Sequence, residues 1–202
     1  MYARILEEPL RGERSFFLFG PRGTGKTTWL RAKCPAALYL DLLAGDLYAR
    51  LLARPERLSE LIPPGYPDWV ILDEVQRVPL VLNEVHRLIE RRGLRFILTG
   101  SSARKLRRGG VNLLGGRAVT LRMYPLTAAE LKNDFDLQRA LKHGLIPLAY
   151  RSKDSRDFLE SYIQVYLQEE IVQESLIRNI GAFPRFLKSA SFSQGSVLNV
   201  ST

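Results

Sequence analysis

Residues 20–27 form the clearest chemical motif of the chain. They read Gly-Pro-Arg-Gly-Thr-Gly-Lys-Thr and fit the pattern G-x-x-x-x-G-K-[ST], in which main-chain N–H groups surround phosphates at the start of a helix. An apolar run at 15–19 precedes the motif, and residues 28–33 suit the helix that should follow it. The sequence therefore predicts a nucleoside triphosphate site. The residues predicted to bind the nucleotide are Gly20, Pro21, Arg22, Gly23, Thr24, Gly25, Lys26, Thr27 and Thr28.

Two residues of this loop have further roles in such motifs. Lys26 would reach the β- and γ-phosphates and act in catalysis, and the hydroxyl of Thr27 would bind Mg²⁺. A glycine turn with an incidental lysine is the plain alternative. The preceding strand and the following helix favour the phosphate loop.

A pair of acidic residues, Asp73 and Glu74, follows the apolar segment 69–72. That segment places Asp73 at the carboxyl end of a strand, where ligands of open α/β sheets bind, so Asp73 is predicted to hold Mg²⁺ directly or through water. Glu74 is predicted to polarise the water that attacks the γ-phosphate. This second carboxylate favours hydrolysis over phosphoryl transfer, because a transferring enzyme that activated water would waste ATP. The guanine motif Asn-Lys-x-Asp does not occur in the sequence, so ATP is the preferred nucleotide.

Two later positions are candidates for helping the reaction. Thr99 ends the next apolar segment and is predicted to sense the γ-phosphate, with Ser101 as the alternative. The same Gly-Ser turn also suits the cap of a following helix. Arg117 precedes the last apolar segment and could complete the site of a neighbouring copy, as arginine fingers do. An ion pair with a surface acid is an equally good interpretation of Arg117.

The elements that must hold these residues are short strands alternating with helices. Apolar segments at 16–19, 37–40, 69–72, 95–98 and 118–121 are separated by helix candidates at 26–33, 45–61, 80–91 and 103–108. This alternation predicts an α/β fold: a three-layer sandwich of the P-loop type with a mostly parallel five-stranded sheet. A complete strand and helix fit between Lys26 and Asp73. The strand that bears Asp73 is therefore the second one after the phosphate loop.

The pattern changes to helical after residue 124. Thr127 and Glu130 form a capping box, and helices are predicted over 137–142, 155–178 and 182–187 with a loop at 144–147. In the long helix an apolar stripe runs through Phe158, Tyr162, Tyr166 and Ile171. The predicted domains are the core at 1–124, a helical lid or subdomain at 125–180, and the start of a truncated C-terminal domain at 181–202.

Composition and charge give indications of the partners and the cellular compartment of the chain. Its 202 residues carry a net charge of +9, and arginines cluster at 91, 92 and 95 and at 104, 107 and 108. These clusters make DNA contact through a basic surface a candidate, although no aromatic residues interleave them and a general arginine bias explains the charge equally well. The single cysteine, Cys34, fits a reducing compartment. Neither a signal peptide nor a membrane span is recognised in the sequence, which predicts a cytoplasmic protein that does not contact membranes.

The chain resembles a group of prokaryotic AAA-like ATPases in which an N-terminal P-loop domain precedes a C-terminal domain of unknown function. The likeness rests on residues 20–28, 72–79, 97–102, 114–117 and 124–126, and later on 166–171, 178–180 and 186–187. The sequence Asp-Glu-Val-Gln at 73–76 with Pro79 is its most distinctive part, whereas Leu145 stands where the group has a glycine. The resemblance implies the additional-strand arrangement of AAA and RecA-like ATPases. It also implies that a further C-terminal domain is missing here.

The leading functional interpretation is an AAA-type ATPase that uses ATP and Mg²⁺ and couples hydrolysis to movement of its helical region. Two alternatives remain open. Residues 73–76 also resemble a helicase motif, although one chain of this length lacks a second motor domain. A nucleotide-dependent switch with little turnover is the other. The predicted partners are ATP, a second copy of the chain, and DNA through the basic surface or the missing domain.

Overall fold

The computed structural model describes residues 2–6, 10, 12, 14–103, 106, 114–167 and 180–193. The chain divides into two compact units, Met1–Arg156 and Asp157–Thr202. No helix within these described ranges is both long and apolar enough to cross a membrane.

The first unit alternates strands and helices before it becomes wholly helical. Its elements in chain order are β1 (Ser15–Phe19), α1 (Lys26–Lys33), β2 (Leu38–Asp41), α2 (Gly45–Ala53), β3 (Trp69–Asp73), α3 (Val81–Arg92), β4 (Arg95–Gly100), β5 (Ala118–Arg122), α4 (Ala128–Leu131), α5 (Leu137–His143) and α6 (Pro147–Arg151). Short 3₁₀ segments lie at Pro55–Leu61, Val75–Arg77 and Lys132–Asp134.

The five strands form one parallel sheet in the order β2-β3-β4-β1-β5. The register places Phe19 of β1 beside Gly100 of β4, and Leu72 of β3 beside Leu98. Strand β4 therefore lies between the strand that leads into the phosphate loop and the strand that ends in Asp73. The predicted parallel five-stranded α/β fold is confirmed, and the Asp73 strand is the second after the loop, as predicted.

Alternating strand residues face two separate apolar layers. On one face Phe17, Leu72 and Phe96 pack with Leu82 and Val85 of α3. On the other face Phe16 and Ile71 pack with Trp29 of α1. Both faces are covered, which explains why the strands are nearly continuous in apolar character. This gives the three layers predicted from the sequence.

The predicted helix at 45–61 is interrupted, and this part of the prediction was wrong. Helix α2 ends at Ala53, and a 3₁₀ segment begins at Pro55. Proline lacks the N–H of a helical hydrogen bond and disfavours helical backbone in the residue before it, and Arg54 accordingly has φ −146° and ψ 87°. The predicted helix at 103–108 lies mostly outside the described residues.

A smaller helical cluster follows the sheet within the first unit. The predicted capping box at the start of α4 is present, with both the Thr127 and the Glu130 side-chain bonds. Leu126, Leu131 and Tyr150 form a buried cluster against which Tyr2 of the N-terminal segment packs. The predicted loop at 144–147 is one residue shorter, because Pro147 starts α6 at the first helical position, where proline is favoured.

The last helices are α7 (Ser155–Ser161), which begins at the end of the first unit, and α8 (Phe183–Phe192) in the second. The single α-helix predicted at 155–178 changes to a π-helical segment at Tyr162–Leu167, and residues 168–179 lie outside the described ranges. The rings of Phe158 and Tyr162 are 6.0 Å apart. The side chains of Tyr166 and Ile171, the rest of the predicted stripe, are outside the described part. The domain boundaries predicted at 124 and 180 stay predictions.

Candidate functional site

The predicted phosphate loop connects β1 to α1 at the carboxyl edge of the sheet. Gly23 and Gly25 have φ of 78° and 91°, in the left-handed region that favours glycine. Gly25 immediately precedes α1, so the loop leads directly into a helix N-terminus. Thr24 is buried and its hydroxyl donates to the carbonyl of Pro21 at 2.8 Å. A glycine turn that leads into a helix N-terminus is the arrangement on which phosphate-binding loops rely.

Lys26 folds back over the loop. Its Nζ donates to the carbonyl oxygens of Gly20 at 2.5 Å and Pro21 at 3.1 Å, and the residue is buried. The ammonium group therefore stands inside the turn formed by residues 20–26.

Asp73 is the centre of the polar contacts at this edge. Its Oδ2 accepts hydrogen bonds from the hydroxyl of Thr27, at 2.9 Å, and from that of Tyr39. Its Oδ1 accepts from the hydroxyl of Thr99 and from the N–H of Glu74, the latter at 3.1 Å. Donors from α1, β2 and β4, together with the N–H of Glu74, thus converge on one buried carboxylate at the end of β3.

Glu74 follows Asp73 in a left-handed conformation, with φ 59° and ψ 42°. Its Oε2 accepts a hydrogen bond from Nε2 of Gln76. Burial first, and then the charge of Asp73, raise the pKa of Glu74, while the Gln76 bond and the charges of Lys26 and Arg22 oppose the rise. A carboxylate with a raised pKa accepts a proton more readily, as a general base requires.

Gln76 is fixed by close packing against β4. Only 3% of its surface is exposed, and a Cβ atom on Gly100 would lie 2.2 Å from its Oε1. Position 100 therefore has no room for any larger residue while Gln76 holds Glu74.

The oxygen atoms at this edge fit a hard cation. Thr27 and Asp73 offer a hydroxyl and a carboxylate, the ligand types that Mg²⁺ prefers, and Mg²⁺ usually completes its shell with water and substrate phosphates. Across the described ranges, no group of three or more His, Cys, Asp or Glu side chains is placed to hold a metal. The donor set suits a metal that arrives with phosphates rather than one held by the protein alone.

The structure brings together most of the predicted residues but places others apart. Arg22 is half-buried in the loop, Thr28 is exposed on α1, and Ser101 lies just beyond β4, whereas Thr99 reaches Asp73. Arg117 precedes β5, whose first residue pairs with Ser15 at the start of β1, so it lies at the opposite edge of the sheet. There it forms an ion pair with Glu90 and donates to the carbonyl of Gly115 at 3.2 Å. The structure does not bring Arg117 to the site of its own chain.

Two contacts at this edge were missed in the sequence. Tyr39 lies on β2, a largely apolar strand that pairs with β3. Its polar hydroxyl near the end of that strand was the one signal in the sequence for a contact with Asp73. Gln76 lies within the motif at 73–76, and the motif by itself indicates no role for it.

Two arginines of the first cluster, Arg92 and Arg95, bond within their own unit. Arg92 donates to the carbonyls of Ile62 at 3.2 Å and Pro63 at 2.6 Å. Arg95 donates to Pro67 and stacks 4.9 Å from the ring centroid of Trp69. The arginines of the second cluster, at 104, 107 and 108, lie outside the described residues.

Comparison with known proteins identifies a matching family and similar solved structures. The family AAA_14, described as an AAA domain, matches residues 12–132. No curated protein matches the chain at a significant level. Among solved structures, AMPPCP-bound DnaA from Aquifex aeolicus is similar at 17% identity with a TM-score of 0.43, covering 81% of this chain and 60% of that one. The Aeropyrum pernix Orc1 protein in complex with DNA is similar at 20% identity with a TM-score of 0.39, covering 85% of this chain and 57% of that one.

The chain thus spans less than two thirds of the length of either structure. The family match covers more than half of the chain and includes the phosphate loop, Asp73, Glu74, Thr99 and the whole sheet. It confirms the AAA-like P-loop family predicted from the motifs. This chain belongs to the AAA domain family of nucleotide-binding ATPases.

Proposed function

We propose that the chain binds ATP together with Mg²⁺ at the carboxyl edge of its sheet and hydrolyses the γ-phosphate. One observation carries this proposal. The hydroxyls of Thr27 and Thr99 both donate to Asp73, beside the phosphate loop, and Glu74 lies next to them. The family membership supports ATP as the substrate.

Each residue has a distinct part in the proposed reaction. The loop N–H groups and the ammonium of Lys26 bind the phosphates, and Thr27 and Asp73 hold the metal ion. When bound, Mg²⁺ would neutralise charge that develops on the phosphate oxygens. Thr99 senses through Asp73 whether the nucleotide and the metal are bound, because its buried hydroxyl donates a hydrogen bond to that carboxylate.

Glu74 takes the proton from the attacking water. Its carboxylate is close to Asp73 but is held by a different side chain, Gln76, so the two acids are oriented separately. The raised pKa of Glu74, caused mainly by burial, suits a general base better than the pKa of an exposed glutamate would.

Phosphate release by the chain and by Glu74→Gln tests the proposal. General-base catalysis typically contributes about 10²- to 10⁴-fold in rate, so the variant should lose at least about 100-fold in turnover while it still binds ATP. Chelation of Mg²⁺ should stop turnover in the parent. The matched control is Glu56→Gln, a change at an exposed position outside the site.

The same assay separates the alternatives. Tight ATP binding without turnover, in the parent and in Glu74→Gln alike, would replace hydrolysis by a nucleotide-dependent switch. Unwinding of duplex DNA that requires ATP would support the helicase interpretation. Failure of the parent to bind ATP would overturn the proposal altogether.

We also propose partners beyond ATP. A second copy of the chain would give Arg117 a site to complete. For DNA, the support is the net charge of +9, because Arg92 and Arg95 already bond within the unit. The cytoplasmic location stays a prediction from the sequence.

A further inference from the structure

The carboxylate of Asp73 has no free acceptor position. An ionised carboxylate offers about four lone-pair positions, two on each oxygen. In this structure four donors occupy them: Thr99 and the N–H of Glu74 on Oδ1, and Thr27 and Tyr39 on Oδ2. A metal ion, or a water bound to it, needs one of these positions. One donor must therefore withdraw before the metal can engage Asp73.

Three of the four donors are poorly suited to withdraw. The N–H of Glu74 is main chain and adjoins Asp73 in sequence. Thr99 is fully buried and binds the oxygen farther from Thr27. Thr27 can direct a lone pair at a cation while its O–H continues to donate to Asp73.

Tyr39 is the remaining donor, and its position allows its hydroxyl to leave. It lies on β2, the outermost strand on one side of the sheet. In register it is opposite Ile71, and its long side chain extends along the strand to Asp73, two positions beyond Ile71. It is only partly buried, and Arg31 stacks on its ring at 5.0 Å from the centroid.

We propose that the Tyr39 hydroxyl closes Oδ2 of Asp73 in the metal-free site and is displaced when Mg²⁺ arrives with the nucleotide. Tyr39 then sets the Mg²⁺ concentration at which the site fills. This inference rests on the proposed binding of ATP with Mg²⁺. It gives Tyr39 a positioning role and no contact with the reacting atoms.

The test compares Mg²⁺ binding by the parent and by Tyr39→Phe, which keeps the ring and deletes the hydroxyl. A fluorescent, non-hydrolysable ATP analogue is held at fixed concentration, and its anisotropy is followed as Mg²⁺ is added. Loss of a hydrogen bond to a charged group should lower the half-saturating Mg²⁺ concentration by about tenfold. Affinity for the analogue in EDTA should stay the same, since Asp73 does not contact the phosphates without the metal.

Tyr66→Phe is the matched control. It also deletes one hydroxyl, whose bond runs to the carbonyl of Ala36 at 2.7 Å, away from Asp73. Its half-saturating Mg²⁺ concentration should equal that of the parent.

A second measurement needs no loss of the hydroxyl. With 3-fluorotyrosine placed at position 39 only, the fluorine resonance should move when Mg²⁺ and the analogue are added together, and should not move with the analogue in EDTA. An unmoved resonance with the metal bound would overturn the inference, even if Tyr39→Phe fails to fold.

The outcomes also separate this inference from the proposed function. A parent chain that binds no analogue under any condition overturns the proposed function and this inference with it. A parent that binds the analogue with Mg²⁺, beside a Tyr39→Phe variant with an unchanged or raised half-saturating concentration, overturns the inference alone.

Discussion

Glu74 owes its orientation to an uncommon backbone conformation and to one hydrogen bond. A non-glycine residue with φ of 59° is rare, and it turns the chain sharply after β3. The turn separates the side chain of Glu74 from that of Asp73, although the two residues are adjacent. The amide of Gln76 then holds the carboxylate from the other side. This amide donates the hydrogen bond that orients the carboxylate of Glu74.

Gln76→Leu should therefore reduce turnover without weakening nucleotide binding. Leucine fills a similar buried volume, leaves no unpaired amide, and removes the donor to Glu74. Loss of a hydrogen bond to a charged group costs about 1.5–3 kcal/mol, so kcat should fall by about tenfold or more. Steady-state phosphate release gives kcat and KM, and thermal melting checks the fold.

Gln138→Leu, on the exposed surface of α5, is the matched control and should behave as the parent. Equal losses of kcat and ATP affinity in Gln76→Leu would show that Gln76 supports the fold rather than the orientation of Glu74.

At the scale of elements, the N-terminal segment is joined to α4 by a buried ion pair. Nε of Arg4 lies 3.3 Å from Oε1 of Glu130, and the side chains are only 6% and 5% exposed. The same glutamate accepts the N–H of Ile5 at 3.0 Å and that of Thr127 at 3.0 Å. Glu130 thus caps its own helix and also holds a segment more than a hundred residues earlier in the chain.

Arg4→Ala should destabilise the first unit strongly. It leaves the carboxylate of Glu130 buried without its cation, and breaking a buried pair in this way costs about 3–5 kcal/mol. Urea unfolding of the chain, followed by tryptophan fluorescence because both tryptophans lie in the first unit, measures the change.

Arg50→Ala provides the comparison, because Arg50 and Glu60 form an ion pair that is 39% and 56% exposed. An exposed pair contributes about 0–1 kcal/mol. If the two variants were equally stable, the Arg4 pair would have no more importance than a surface contact.

How far the sequence predicts each element depends on how local its cause is. The capping box at 127–130 depends on a few neighbouring residues, and the structure confirms it. The nucleotide-binding role of the phosphate-loop residues stays a prediction. The break in the helix at Pro55 has an equally local cause, but the continuous apolar pattern through 45–61 led to the prediction of one uninterrupted helix. Tyr39 and Asp73 are 34 positions apart in the sequence, and Arg4 and Glu130 are 126 positions apart. No short motif predicts such pairs, because the contacts depend on the order of the strands in the sheet and on the packing of the helices.

Within the first unit, Arg117 lies beside the amino-terminal ends of the strands, whereas the phosphate loop lies at their carboxyl ends. A five-residue strand spans about 16 Å, so a side chain at the amino-terminal edge does not reach the carboxyl edge of its own sheet. Any part that Arg117 plays in hydrolysis must therefore be played on another copy of the chain.

Mixing two inactive variants tests this directly. Lys26→Ala lacks a working phosphate loop and Arg117→Ala lacks the arginine, so each alone should hydrolyse little ATP. A mixture contains interfaces that combine an intact loop from one chain with Arg117 from the other, and phosphate release should reappear. Arg91→Ala, a change of the same kind on an exposed part of α3, should hydrolyse ATP as the parent does. Full activity of Arg117→Ala by itself would assign Arg117 only to its ion pair with Glu90.

The strand order has a consequence for how the protein is made. Strand β1 pairs with β4 and β5, so both of its neighbours in the sheet are synthesised long after it. While a ribosome is still producing residues 20–90, the segment that leads into the phosphate loop has no partner strand on either side. Its apolar side chains have no neighbouring strand to pair beside until β4 and then β5 have been made, which favours chaperone contact during that interval. The nucleotide site is thus the earliest motif to be translated and among the last parts of the sheet to be completed.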